Sequence, residues 1–279
     1  MVAQGKIGAV AEGADPIERF QGCRHVNFLA RRDIECLYPV YKCVVNSGQA
    51  YIRVVTVIIC EIAWAVAAPA NSASAAHRLR HAGATLPGLR WLDLYAPAAA
   101  AANDPYVQDG PAPTYLAMFA FPSLADLDRA ANTKTFASLV SSLPVLTCSA
   151  LRHLDFPTGD STTPAPLTAP FSYVVRYHRP ADDEAAFVRN YLAGHPPLLA
   201  RLPGICNVMC YLPMSWRRAD GPSPADYLIG NEVTFSDAAS FDVAMASPIR
   251  YELRAHYHTL PRFSGRNTHF PMDRVRLIG

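Results

Sequence analysis

The sequence predicts an α+β chain in which one β-α-β-β-α-β unit occurs twice, and three observations predict it. First, a turn and the strand after it recur. Leu86-Pro87-Gly88-Leu89 leads into Leu92-Asp93-Leu94-Tyr95-Ala96-Pro97, and Leu202-Pro203-Gly204-Ile205 leads into Val208-Met209-Cys210-Tyr211-Leu212-Pro213. Second, later blocks keep their order. Tyr115-Leu116 is matched by Tyr227-Leu228, Phe121-Pro122-Ser123 by Phe235-Ser236-Asp237, and Leu127-Asp128 by Phe241-Asp242. Third, residues 157–170 between the copies are rich in Pro, Thr and Ser. Proline fixes φ and removes donors, so this stretch suits an extended linker. The expected organisation is an N-terminal extension over 1–48, repeat one over 49–156, the linker, and repeat two over 171–279.

Repeat two shows the unit best. Phe171 to Tyr177 is β-branched and aromatic and reads as its first strand. Pro180 ends it, and Asp182 or Asp183 caps a helix with Phe187 and Tyr191 on one face, stopped at Gly194. Strands follow at about Ile205 to Leu212 and Tyr227 to Thr234. Ser236 is placed to cap the next helix, which carries Phe241 and Met245. Ser247-Pro248 reads as an N-cap followed by Pro at the first helical position. A last strand runs near Asn267 to Val275. This is the ferredoxin-like order.

Repeat one follows the plan less cleanly. It has a strand from Val54 to about Ile62, a short helix near Ser74 to Ala82, a helix capped by Ser123, and a strand from Val145 to Phe156. Val54 to Ala68 is apolar throughout except for Glu61, and it precedes an Ala73-Ser74-Ala75 step that looks like a cleavage site. A buried strand explains the segment. The alternative is a cryptic signal segment over 54–75. Residues 1–48 show no period and read as a poorly ordered extension.

Composition narrows the function. The chain has 279 residues, of which 51% are hydrophobic and 17% charged, enough to fill a core. The net charge of +2 gives no footprint for nucleic acid. Seven cysteines form no CxxC pair, and Cys206 and Cys210 lie about 13 Å apart along a strand, too far for one metal or one disulfide. They read as buried thiols in a reducing compartment, so the expected location is cytoplasmic, with no membrane partner.

The run Tyr191-Leu192-Ala193-Gly194-His195-Pro196-Pro197-Leu198-Leu199, leading to Leu202-Pro203-Gly204, resembles the EthD family. Ser247-Pro248 and Leu260-Pro261-Arg262-Phe263 add to the resemblance, which covers repeat two. It implies a dimeric α+β barrel, closed here by the tandem repeat within one chain, so that the protein is a monomeric pseudo-dimer or a homodimer. The wider superfamily holds cofactor-independent monooxygenases, polyketide cyclases, lactone isomerases, haem enzymes and stress-responsive proteins. The resemblance further implies a small-molecule ligand, apolar and aromatic or polyketide-like, bound inside the barrel without a cofactor. The alternative is a non-catalytic binding or assembly module. Repeat one lacks the Pro-Pro-Leu-Leu run and spaces His81 differently, which puts the expected site in repeat two.

The candidate catalytic residues are His195 and Glu232. An imidazole at a helix end can serve as general base or polar anchor, or can simply lock the turn through a backbone carbonyl. Glu232 can orient a histidine or act as a base, or face solvent. It alternates with Asn231, so only one of the two points inward. Tyr173, Tyr191, Tyr211 and Asn231 are candidate ligand contacts, although tyrosine also buries well in a core. A metal reading for His256, His258 and His269 meets a geometric obstacle: on a helix His256 and His258 point apart, leaving Glu252 with His256 as the workable pair.

Overall fold

The computed structural model describes residues 57–65, 72–98, 109, 112–141 and 144–279, together with the backbone of three strands near the start. The chain divides into two units, Met1–Val54 and Val55–Gly279. In the first, β1 (Ile17–Glu18), β2 (Val26–Arg31) and β3 (Val40–Val45) form an antiparallel sheet in that order. The expected extension over 1–48 included no strand.

The second unit begins with β4 (Val57–Trp64), α1 (Ser72–Gly83), β5 (Trp91–Pro97), β6 (Tyr115–Phe121), α2 (Leu124–Ala131), α3 (Lys134–Ser141) and β7 (Val145–Phe156). It continues with β8 (Phe171–His178), α4 (Glu184–Leu199), β9 (Asn207–Pro213), β10 (Tyr227–Phe235), α5 (Ala238–Ala246), α6 (Ile249–Tyr257) and β11 (Asn267–Ile278). All eight strands close one antiparallel barrel in the order β10-β8-β11-β5-β6-β4-β7-β9. Each half contributes four neighbouring strands. The joints are β7 against β9, with His153 opposite Tyr211, and β11 against β5, with Arg274 opposite Tyr95. Closure pairs both edges of every strand.

The described part of the apolar segment, Val57–Trp64, is a barrel strand. β4 lies between β6 and β7, and Ala73-Ser74-Ala75 falls within α1. Val54 to Thr56 and Val66 to Ala68 lie outside the described residues. No helix among the described residues is long and apolar enough to cross a membrane.

Several expected boundaries shift. Helix α4 does not stop at Gly194 but runs through Pro196 and Pro197 to Leu199. Phe187, Tyr191, His195 and Leu199 recur every four residues, and all are buried. Packing of this stripe outweighs the prolines' missing donors. Asp183 is its N-cap, accepting from the Ala186 N–H at 2.8 Å. The cap of α5 is Asp237 and not Ser236: its carboxylate accepts from the Ser240 N–H at 2.7 Å, while Ser236 bonds the Ser240 hydroxyl. Ser247 does not cap α6. It ends α5, and its hydroxyl donates back to the Ala244 carbonyl at 2.7 Å. Ser123 caps α2 as expected.

Strand alternation sends one set of side chains into the barrel and the other toward the helices. Inward residues include Ile59, Tyr95, Met118, Val174, Tyr211 and Met272, which pack together. Among them, Arg176 of β8 reaches Glu61 of β4 on the opposite wall, with Nη2 2.5 Å and Nε 3.2 Å from Oε2. The guanidinium lies over the Tyr211 ring at 4.8 Å and the Tyr227 ring at 5.7 Å. It also donates to the Asn231 carbonyl at 3.2 Å. Burial, the largest single influence, opposes its charge, but Glu61 together with Tyr227 and Tyr211 outweighs it and raises the pKa above the usual arginine value. A second buried pair joins Arg274 Nη1 to Asp93 Oδ2 at 2.9 Å. The Arg176–Glu61 pair thus bridges the barrel from one wall to the other at its level.

Candidate functional site

The residues facing the helices give the two halves different surfaces. In the first half Trp64, Phe119, Phe121, Leu127 and Phe136 pack between the sheet and α1–α3. In the second half a cavity of about 450 Å³ lies between the sheet and the helices. Its sheet wall is made by Tyr173, Val175 and Tyr177 of β8, Asn231 and Val233 of β10, and His269 of β11. α4 contributes His195 and Leu199, α5 contributes Met245, and α6 contributes Leu253, Arg254 and Tyr257. Odd-numbered residues of all three strands share this face because the strands pair in register, with Asn231 and His269 both opposite Val175.

His195 reaches the cavity because it belongs to the buried stripe of α4. Its ring stacks on Tyr191 at 4.6 Å, and its Nδ1 lies 3.3 Å from Nδ1 of His256 on α6. Gly194 permits that meeting. A Cβ there would sit 2.0 Å from His256 Nε2. Burial pushes the His195 pKa down to about 3, with His256 and His269 adding to the effect. His195 is therefore neutral at pH 7, one of the two Nδ1 atoms donating and the other accepting. Burial also lowers the His256 pKa.

His269 is built differently. Its Nδ1 lies 2.6 Å from Asp109 Oδ2, and its ring lies 5.8 Å from that of Tyr173. Donation from Nδ1–H to the carboxylate leaves Nε2 as the basic nitrogen. The carboxylate holds the ring in this tautomer and orientation.

The expected site residues divide between the two faces of the sheet. His195, Tyr173 and Asn231 line the cavity. Tyr191 is fully buried directly beneath it, with its hydroxyl bonded to the Asn231 amide. Burial, followed by the neighbouring Tyr177, raises the Tyr191 pKa, so the phenol stays protonated. Glu232 and Tyr211 point into the barrel instead. Glu232 accepts from Ser172 at 2.6 Å and from Tyr211 at 2.7 Å, and lies 3.4 Å from the Tyr95 hydroxyl. It orients no histidine of the cavity. Glu252 binds Arg201 at 2.6 Å and is not a partner of His256. Among the described residues, no group of three or more His, Cys, Asp or Glu is placed to hold a metal ion.

Sequence reasoning missed the Asp109–His269 pair and the pairing of His256 with His195. The signal for His269 was its parity on β11, shared with Asn267, another residue of the cavity wall. Nothing local marked Asp109, which comes from the long connection between β5 and β6.

No known family's sequence profile matches the chain, and no curated protein matches it. Among solved structures, an anthrone oxidase-like protein superposes with a TM-score of 0.52 at 9% identity, covering 81% of this chain and 94% of its own. This likeness shows the fold alone: an α+β chain whose eight antiparallel strands close one barrel. A candidate monooxygenase from Lactobacillus acidophilus NCFM aligns at 11% identity with a TM-score of 0.47, over 80% and 94% of the two chains. Another from Fusobacterium nucleatum aligns at 8% identity with a TM-score of 0.49, over 80% and 94%.

Proposed function

We propose that the protein binds a ring-containing, aromatic or polyketide-like compound in the cavity between the second-half sheet and helices α4–α6, and removes a proton from it. In this reading the chain is a tandem fusion of two ferredoxin-like units, the second of EthD type, and acts in degradative or secondary metabolism. The observation that carries it is the meeting of His195 and His269 on one mostly apolar, aromatic-walled cavity. A pocket of this size and lining suits a small ring system held by a few polar groups.

The two histidines take different roles. His195, depressed to about 3, is a poor base at neutral pH and keeps the anchoring role, offering a neutral ring nitrogen to a ligand oxygen. His269, oriented by Asp109, accepts the proton from an acidic C–H or O–H of the ligand at Nε2. The carbanion or phenolate so formed is the species from which isomerisation, cyclisation or oxygenation proceeds. The rival reading is a binding module without turnover. The neutrality of His195 favours it, because such a residue binds without transferring a proton.

Native mass spectrometry of the freshly purified full chain tests the proposal. Wild type should carry a small molecule that Val233→Trp, which fills the cavity, does not retain while keeping its circular dichroism. That compound, returned to the protein in D₂O, should exchange its carbon-bound acidic hydrogen with wild type and not with His269→Gln. Retention by both proteins would place the ligand elsewhere. Binding without exchange in wild type would make the protein a binding module.

A further inference from the structure

From the charges that line the same cavity we infer that its ligand is an anion, a ring compound whose carboxylate or enolate oxygen lies at the α6 edge of the pocket. The inference rests on the cavity's being the ligand site and adds the ligand's charge. Arg250 and Arg254 stand four residues apart on α6, on one face of the helix, and both line the cavity. His258, at the C-terminal end of α6, lines it too. Among the described residues, no Asp or Glu lines the cavity.

The acids nearby are committed elsewhere. Glu252, on the same helix, forms a two-oxygen pair with Arg201, and Asp109 is held by His269. Arg250 bonds the Met245 carbonyl at 3.4 Å and lies over the Tyr251 ring at 5.9 Å, so its charge has no carboxylate partner among the described residues. Arg254 is exposed and forms no side-chain hydrogen bond or ion pair among the described residues. Two guanidiniums beside an apolar cavity, with no acid to neutralise them, set a positive potential at its edge. Planar guanidinium groups suit a planar carboxylate or enolate. The deeper wall of Tyr173, Tyr177 and Val233 takes the ring.

The test compares two probes with the same ring, naphthoate and naphthalenemethanol, by titration calorimetry on the full chain. Wild type should bind naphthoate roughly tenfold more tightly, with the preference shrinking as salt rises. In Arg250→Gln/Arg254→Gln the preference should vanish while naphthalenemethanol binds as before. Equal affinity of wild type for both probes overturns the charge inference and leaves the cavity reading standing. A preference that survives in the double variant also overturns it. Binding of neither probe, or binding unchanged in Val233→Trp, sinks the cavity reading and the inference with it.

Discussion

Replacing Arg176 by Met removes the guanidinium that spans the barrel. Glu61 is 1% exposed, and its Oε1 already has no partner among the described residues. Its Oε2 would lose both arginine bonds, and the Asn231 carbonyl would lose a donor. Two charges about 4 Å apart at an effective dielectric of about 20 attract by about 4 kcal/mol. That agrees with the roughly 3–5 kcal/mol lost when one partner of a buried pair is deleted. In a unit of this size, about 4 kcal/mol lowers Tm by roughly 8–16 °C. Urea denaturation followed by tryptophan fluorescence measures the loss, and a thermal scan checks it. The companion Glu61→Leu/Arg176→Met removes both charges and should recover at least half of the deficit, because the deficit comes mainly from the stranded carboxylate. A single variant within about 1 kcal/mol of wild type would refute the reasoning. So would a double variant as unstable as the single one.

Further outcomes rest on the same contacts. Gly230→Ala places a Cβ 2.9 Å from Arg176 Cδ and Nη1, inside a closed interior, and should cost about 1–3 kcal/mol by urea denaturation, with the Arg176→Met background reducing the penalty. The unfolded chain protonates His195 near pH 6.5 and the folded one only near 3, so stability is fully present above 6.5 and falls as pH drops through this window. Each unit within it costs up to about 1.4 kcal/mol, and His195→Gln should flatten the slope of stability against pH. His153 stacks on Tyr211 at 5.3 Å, and its Nε2 approaches Asp155 at 3.2 Å without hydrogen-bond alignment, so neither ring nitrogen has a hydrogen-bond partner among the described residues. His153→Phe should therefore hold stability within about 1 kcal/mol or raise it, and a larger loss by calorimetry would mean the contact with Asp155 matters.

The strands were legible because their β-branched and aromatic runs are bounded by turns: β7 spans Val145–Phe156, as expected, and β8 and β10 begin at the residues expected. The end of α4 was not. Gly194, Pro196 and Pro197 are local stop signals, whereas the buried stripe through His195 and Leu199 is settled by packing on the sheet. The opposition of Asn231 and Glu232 was legible from alternation, but not which compartment each enters. Both faces of this sheet are buried, one by the barrel and one by helices, so hydrophobicity does not tell them apart. His195 could be named from its setting at the end of α4. Asp109 could not, because its role depends on a contact with a strand far along the chain.

A barrel assembled from two identical chains carries every substitution twice, once in each half, and any change that suits a ligand on one side is imposed on the other. Here all eight strands belong to one chain, and the two halves of the barrel carry different layers. Trp64, Phe119 and Phe136 fill the layer under the first set of helices, while the corresponding layer of the second holds an open chamber with histidines on its walls. A barrel made by one chain thus separates two demands that a symmetric assembly must meet with one sequence. The first half can be optimised as a wedge that keeps the barrel shut, and the second can lose packing around its chamber without that loss being doubled.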